Sequence, residues 1–215
     1  MRNLYPGYDV LSKRDTQSWN EQTRRVIDQR LAIDPDSHAF FSDAEWKTLC
    51  ALCDCIVPQS PGKPRIPVPA MVDRKMVEDV KDGYRNAKLP VMREAWRIGL
   101  AAIDAEAKSS HGHCFHELAR EQQNDLIAAM QAGGLHHATW RDMPPRLFFT
   151  SRVLADIVKE YYAHPYAWNE IGWGGPASPR GYVRLKTDRR DPWEAAEAKP
   201  GREAEAEWEN RHVGR

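Results

Sequence analysis

Apolar side chains recur along this chain at steps of three and four residues, the spacing of one face of an α-helix. Trp46, Leu49, Cys53 and Ile56 follow that rule until Pro58 stops them, and Ser42-Asp43-Ala44-Glu45 opens the run as a capping box. A similar box, Ser18-Trp19-Asn20-Glu21, predicts an earlier helix running to near Leu31. Four prolines and one glycine between Gln59 and Pro69 make a stiff connector without regular structure. Val72, Met76 and Val80 then mark a third helix, ending near Gly83, and Met92, Trp96, Leu100, Ile103 and Ala107 a fourth, starting near Pro90. A fifth runs from about His113 to Ala132, closed by Gly133-Gly134. A sixth begins at Pro144-Pro145 and carries Phe148, Leu154, Val158 and Tyr161. Strand-like alternation is absent. The expected fold is all-α: a bundle of five or six helices with extended N- and C-terminal arms and an aromatic, Gly/Pro-rich C-terminal loop, with Trp96, Trp140 and Phe148-Phe149 in the core.

The pattern breaks in YYAHPYAWNEIGWGGPASPRGYVRL, Tyr161 to Leu185. Prolines and glycines interrupt it so often that neither a helix nor a central strand is expected to run through. Aromatic rings in a solvated connector gain nothing, whereas burying each is worth roughly 1.5–3 kcal/mol. His164, Tyr166, Trp168, Ile171, Trp173, Arg180 and Tyr182 therefore read as a contact surface of rings with a few polar tips, the composition of an interface centre. The alternative is that the loop completes the core of its own helices. Residues 1–37 form a polar arm with one helix, 38–185 the helical domain, and 186–215 a tail with seven basic and eight acidic residues, too charged to build a core. Trp19 in the arm and Trp193 and Trp208 in the tail lack apolar surroundings, so burial by a partner is the expected explanation for them.

Charge narrows the choice of partner. Among 215 residues, 31 basic and 31 acidic side chains are interspersed, which disfavours nucleic acid and anionic membrane surfaces. No apolar stretch is long enough to span a bilayer, and the first residues lack the apolar core of a secretory signal. The cysteines Cys50, Cys53, Cys55 and Cys114 are expected to be reduced; Cys50 and Cys53 share a helix face that Cys55 does not. No dinucleotide fingerprint, phosphate loop, haem-attachment motif or zinc-protease motif is present, so no catalytic residue is assigned. The best metal-like grouping is His111, His113, Cys114 and His116, which supports an alternative reading as an autonomous metal-binding protein or metalloenzyme.

The segment HPYAWNEIGWGGPASPRGYVRL resembles the C-terminal signature of the gluconate 2-dehydrogenase subunit 3 family. Two further blocks are similar to that family: Phe41 to Met76, with Ser42 to Glu45, Leu49, Leu52, Asp54, Ile56, Pro58 and Val72-Asp73, and Phe115 to Leu126, with Leu118 and Gln122-Gln123. Together they cover roughly residues 40 to 185 in order. The resemblance implies a small, non-catalytic accessory subunit beside a large FAD-dependent oxidoreductase of the glucose-methanol-choline type. The expected substrates are sugars, sugar acids or the 3-position of glucosides. It places the flavin and the catalytic histidine in the partner, no cofactor in this chain, and a cytochrome c as electron acceptor. Many small subunits of the family carry an export signal; its apparent lack here makes a cytoplasmic complex the expectation, or a periplasmic one if the partner carries the signal.

Overall fold

The computed structural model describes residues 4–79, 83, 85–176, 187 and 189–213. Among these there is helix and no strand, as the periodicity requires. Eight α-helices replace the expected five or six: α1 Glu21–Leu31, α2 Asp43–Ile56, α3 Val68–Glu78, α4 Met92–His111, α5 Arg120–Ala132, α6 at 145–163, α7 Pro165–Ile171 and α8 Glu203–Arg211. The helix α6 is continuous but changes pitch: Pro145–Phe148 and Ala155–Ala163 are α-helical, and Phe149–Leu154 between them is a π-helix.

The chain divides into two compact units, Asp34–Tyr161 and Met1–Ile33 with Tyr162–Arg215. In the second unit both chain ends associate with the residues that follow Tyr161.

The middle unit follows its sequence signals closely. Ser42 and Glu45 form the anticipated box at the start of α2, the Ser42 N–H donating to Glu45 Oε2 at 2.9 Å. Pro69 sits in the first turn of α3, where its missing N–H costs nothing. Gly112 and Gly133 end α4 and α5 at φ 78° and 81°, the left-handed region that favours glycine. The fifth helix begins later than its periodicity suggests. Phe115–Glu117 is instead a 3-10 turn, held by the Phe115 N–H donating to Asp104 Oδ1 at 3.0 Å and the Cys114 N–H donating to Glu117 Oε2 at 2.8 Å.

Side chains from α4 and α6 make the centre of this unit. Trp96 packs edge-on against Phe148 at 5.5 Å, and Trp140 meets the same ring at 5.8 Å. Gly99 admits that ring, since a Cβ there would lie 2.1 Å from Phe148 Cζ. Asp156 is buried with the ring cluster: it takes Lys75 Nζ at 2.8 Å on one oxygen and the Trp96 Nε1–H at 2.8 Å on the other. Asp73 accepts the backbone N–H groups of Ala39, Phe40 and Phe41 at 2.8, 3.0 and 2.9 Å. It fixes the entry to α2, while the Pro-rich connector is closed by Gln59, whose amide pairs with both backbone groups of Ile66.

Removing one member of a buried ion pair leaves the other charge uncompensated. Asp156→Ala is expected to cost about 3–5 kcal/mol of unfolding free energy, read from urea denaturation of the purified chain. A loss below about 1 kcal/mol would contradict the structural role given to this carboxylate.

Candidate partner-binding surface

From Tyr162 to Pro176 the aromatic segment belongs to the unit built from the chain ends, and part of it is helical. His164 caps α7 by accepting the Tyr166 N–H at 3.3 Å, Pro165 occupies the first turn, and Gly172 closes the helix at φ 67°. The expectation that no helix runs through this segment is thereby corrected: proline is harmless at a helix start, and the glycine falls where the helix must stop.

Trp168 is buried, and its Nε1–H donates to the Tyr162 carbonyl at 2.7 Å. Trp173 meets it edge-on at 5.0 Å. Around this pair the chain ends converge. Tyr8, Val10, Trp19, Ile27, Ala196, Ala198 and Ala206 join Trp168 in one buried cluster. The Pro176 carbonyl accepts both the Trp19 Nε1–H and Lys13 Nζ, each at 3.0 Å. Asn169 Oδ1 accepts the Val10 N–H at 2.8 Å, and Asn210 pairs with both backbone groups of Ala196, at 2.7 and 3.1 Å. The Ser18 hydroxyl donates to the Trp193 carbonyl at 2.5 Å.

Several expected partner contacts are therefore interior. Trp19 is 1% exposed, and Trp168 and His164 are buried, so the need for a second polypeptide to shelter them falls away. The reason is that the tail builds a core after all, using Ala196, Ala198 and Ala206, small side chains that let backbones approach closely. Gly174 and Gly175 serve the same end, with Ala195 Cβ only 2.9 Å from where a side chain would begin at the first and Trp168 3.2 Å away at the second. Tyr166, Trp173 and Trp193 are half-buried. Trp208, 63% exposed, and Ile171, 47% exposed, face solvent. Arg180 and Tyr182 lie outside the described residues.

Two depressions adjoin the exposed rings. A cleft of about 280 Å³ is lined by Trp173, Gly174, Arg190, Lys199, Arg202 and Glu205, among others. A more open groove of about 410 Å³ runs past Trp208, Asp191, Pro192 and His212 and shares Arg190, Glu194 and Glu209 with it. Trp208 stacks on His212 at 4.5 Å, and Arg190 forms an ion pair with Glu209. An indole among charges of both signs is suited to a protein partner with a polar rim.

Two buried bases went unnoticed in the sequence or were given another role. Among the described residues no hydrogen bond sets a carboxylate against Lys13; it stands over the Trp19 ring at 5.2 Å, and burial pushes its ammonium down to about 7. Burial likewise pulls His164 down to about 4. Of the metal-like grouping, His111 and His113 are exposed, while Cys114 and His116 are half-buried and lie beside Asp104. All four cysteines are free thiols.

An all-helical chain with mixed surface charge and an exposed ring at a grooved surface has the features of a small protein-binding subunit. The family model described as gluconate 2-dehydrogenase subunit 3 matches residues 43–175, and the chain belongs to that family. It is thus related to subunits of a multi-subunit dehydrogenase. No curated protein and no solved structure gave a match. No helix among the described residues is long and apolar enough to cross a membrane.

His164 gives this unit a pH dependence of definite sign. Its folded pKa is depressed to about 4, so between the ordinary histidine value of about 6.5 and that point the unfolded chain takes up the proton and the folded chain does not. Stability is expected to fall by up to about 3 kcal/mol as the pH drops through that window, with no contribution above it. His164→Asn keeps a cap acceptor and removes the titration. Unfolding measured from pH 7 to 4.5 should then show a shallower decline; equal slopes for the two proteins would refute the assignment.

Proposed function

We propose that this chain is the non-catalytic small subunit of a FAD-dependent dehydrogenase of the glucose-methanol-choline type and that it stabilises the catalytic flavoprotein. The complex oxidises a sugar, a sugar acid or the 3-position of a glucoside. The large partner holds FAD and the catalytic groups, this chain holds no cofactor, and a cytochrome c takes the electrons onward. Family membership across residues 43–175 is the observation that carries the reading.

The exposed apolar side chains supply the physical side of it. Burying a solvent-facing tryptophan in a partner's pocket is a common source of interface free energy, and the surrounding charges then act as a rim that excludes water. Trp208 and Ile171 are the exposed members of the expected contact set. Trp173, half-buried at the edge of the cleft, adds to them. Because Trp168 and Trp19 are already sheltered within the chain, the unit meets its partner as a formed surface, with little ordering entropy left to offset.

Tagged purification from the native host, with flavin absorbance and mass spectrometry, tests this directly. A FAD-containing flavoprotein should co-purify in fixed ratio. Trp208→Ala should weaken its retention by about tenfold or more at unchanged helicity. A chain recovered alone, or retention unaffected by both Trp208→Ala and Ile171→Asp, would count against the proposal.

A further inference from the structure

The reversal of the chain after α4 assembles three chemically different donors. Asp104 lies about two turns before the end of α4, Gly112 turns the backbone, and Cys114 and His116 follow the turn. One ligand atom from each of Asp104, Cys114 and His116 lies within 4.8 Å of the other two, the only such grouping of three or more among the described residues. All three side chains are half-buried, so the cluster is neither sealed nor fully solvated.

The carboxylate is held in place from outside. Thr48 Oγ1, from α2, reaches both Asp104 oxygens at 3.0 Å, and the Phe115 N–H binds Oδ1 at 3.0 Å, which leaves acceptor capacity on Oδ2. Hydrogen bonds of this kind orient metal ligands and tune their basicity. A second observation is independent of the clustering. His116 Nδ1 is buried and has no hydrogen-bond partner among the described residues. A buried ring nitrogen left in that state is costly, and an ion or a bound water resolves it. The Glu117 carboxylate, bonded to the Cys114 N–H at 2.8 Å, adds negative charge nearby.

We infer that Asp104, Cys114 and His116 form a binding site for one divalent transition-metal cation of the zinc class. A thiolate, an imidazole and a carboxylate together suit a borderline cation better than calcium or magnesium, which prefer oxygen alone. Tetrahedral zinc sets such donors about 3.3–3.8 Å apart, so small side-chain movements close the cluster around the ion, and water fills the fourth position. Binding releases the thiol proton. The ion would fasten the Phe115–Glu117 turn to α4. His111 and His113, counted as ligands on sequence grounds, take no part in this grouping. The site stands whether or not the chain joins a flavoprotein.

The full chain, purified under reducing conditions and stripped with a chelator, is titrated with zinc(II) alone and with cobalt(II) alone. One equivalent of zinc should survive desalting, and cobalt should give a thiolate charge-transfer band with tetrahedral visible absorption. Cys114→Ser should abolish that band, His116→Ala should weaken binding at least tenfold, and Thr48→Val should weaken it by about 10–100-fold. His111→Ala combined with His113→Ala should leave it unchanged. No retained zinc and no charge-transfer band in the wild-type chain would overturn the site, as would binding that survives Cys114→Ser and His116→Ala or is lost with His111→Ala and His113→Ala. The wild-type spectrum decides the matter even if a variant fails to fold.

Discussion

The unit formed by the chain ends depends on one contact set, the burial of Trp19 and Trp168 in a common cluster with the Pro176 carbonyl fixed beside them. The residues that meet there are separated by most of the sequence. Their association replaces solvent around two indoles and gives Lys13 and the Trp19 Nε1–H a shared acceptor. Loop closure over such distances is costly in entropy, but that cost grows only slowly with length, whereas the area of two buried indoles is large. The tail's charged residues do not oppose this, because Ala196, Ala198 and Ala206 face inward, Arg190–Glu209, Arg202–Glu205 and Arg211–Glu207 pair nearer the surface, and the buried Glu194 accepts the Asp191 N–H.

How much of this was readable in the sequence differs sharply between the two units. In the middle unit, local signals and the final structure agree: Ser42 and Glu45 start α2, Pro69 lies in the first turn of α3, Gly133 closes α5, and Trp96, Trp140 and Phe148 occupy the core. These signals act over one or two helical turns, the range in which periodicity is informative. In the other unit the decisive contacts are long-range and use residues without a strong signature. Ala196 and Ala206 look like solvated helix formers, Asn210 looks like surface, and Lys13 looks like an exposed cation; each is buried. Trp19 appeared to lack shelter because its cover lies more than a hundred residues away.

The same contrast runs through the candidate sites. The aromatic segment was legible as unusual, yet Trp168 and His164 complete their own fold, leaving Ile171 and the edge of Trp173 in this segment, and Trp208 in the tail, as exposed apolar surface. The histidine grouping was visible as a run of letters, but which members converge depends on the turn after α4. That turn discards His111 and His113 and brings in Asp104, a residue with no local motif. Family membership and these physical arguments meet at one picture: a preformed helical member of a multi-subunit dehydrogenase's small-subunit family, with a modest exposed surface.

Self-sufficiency of the end-built core is the claim from which the revised surface follows, and hydrogen exchange of indole N–H groups in the purified chain alone measures it most directly. The Trp19 and Trp168 indole protons should be protected to an extent comparable with that of Trp96, with no partner present. Exchange of Trp19 and Trp168 at the rate of free indole while Trp96 stays protected would contradict it, and would return those two rings to a partner's keeping.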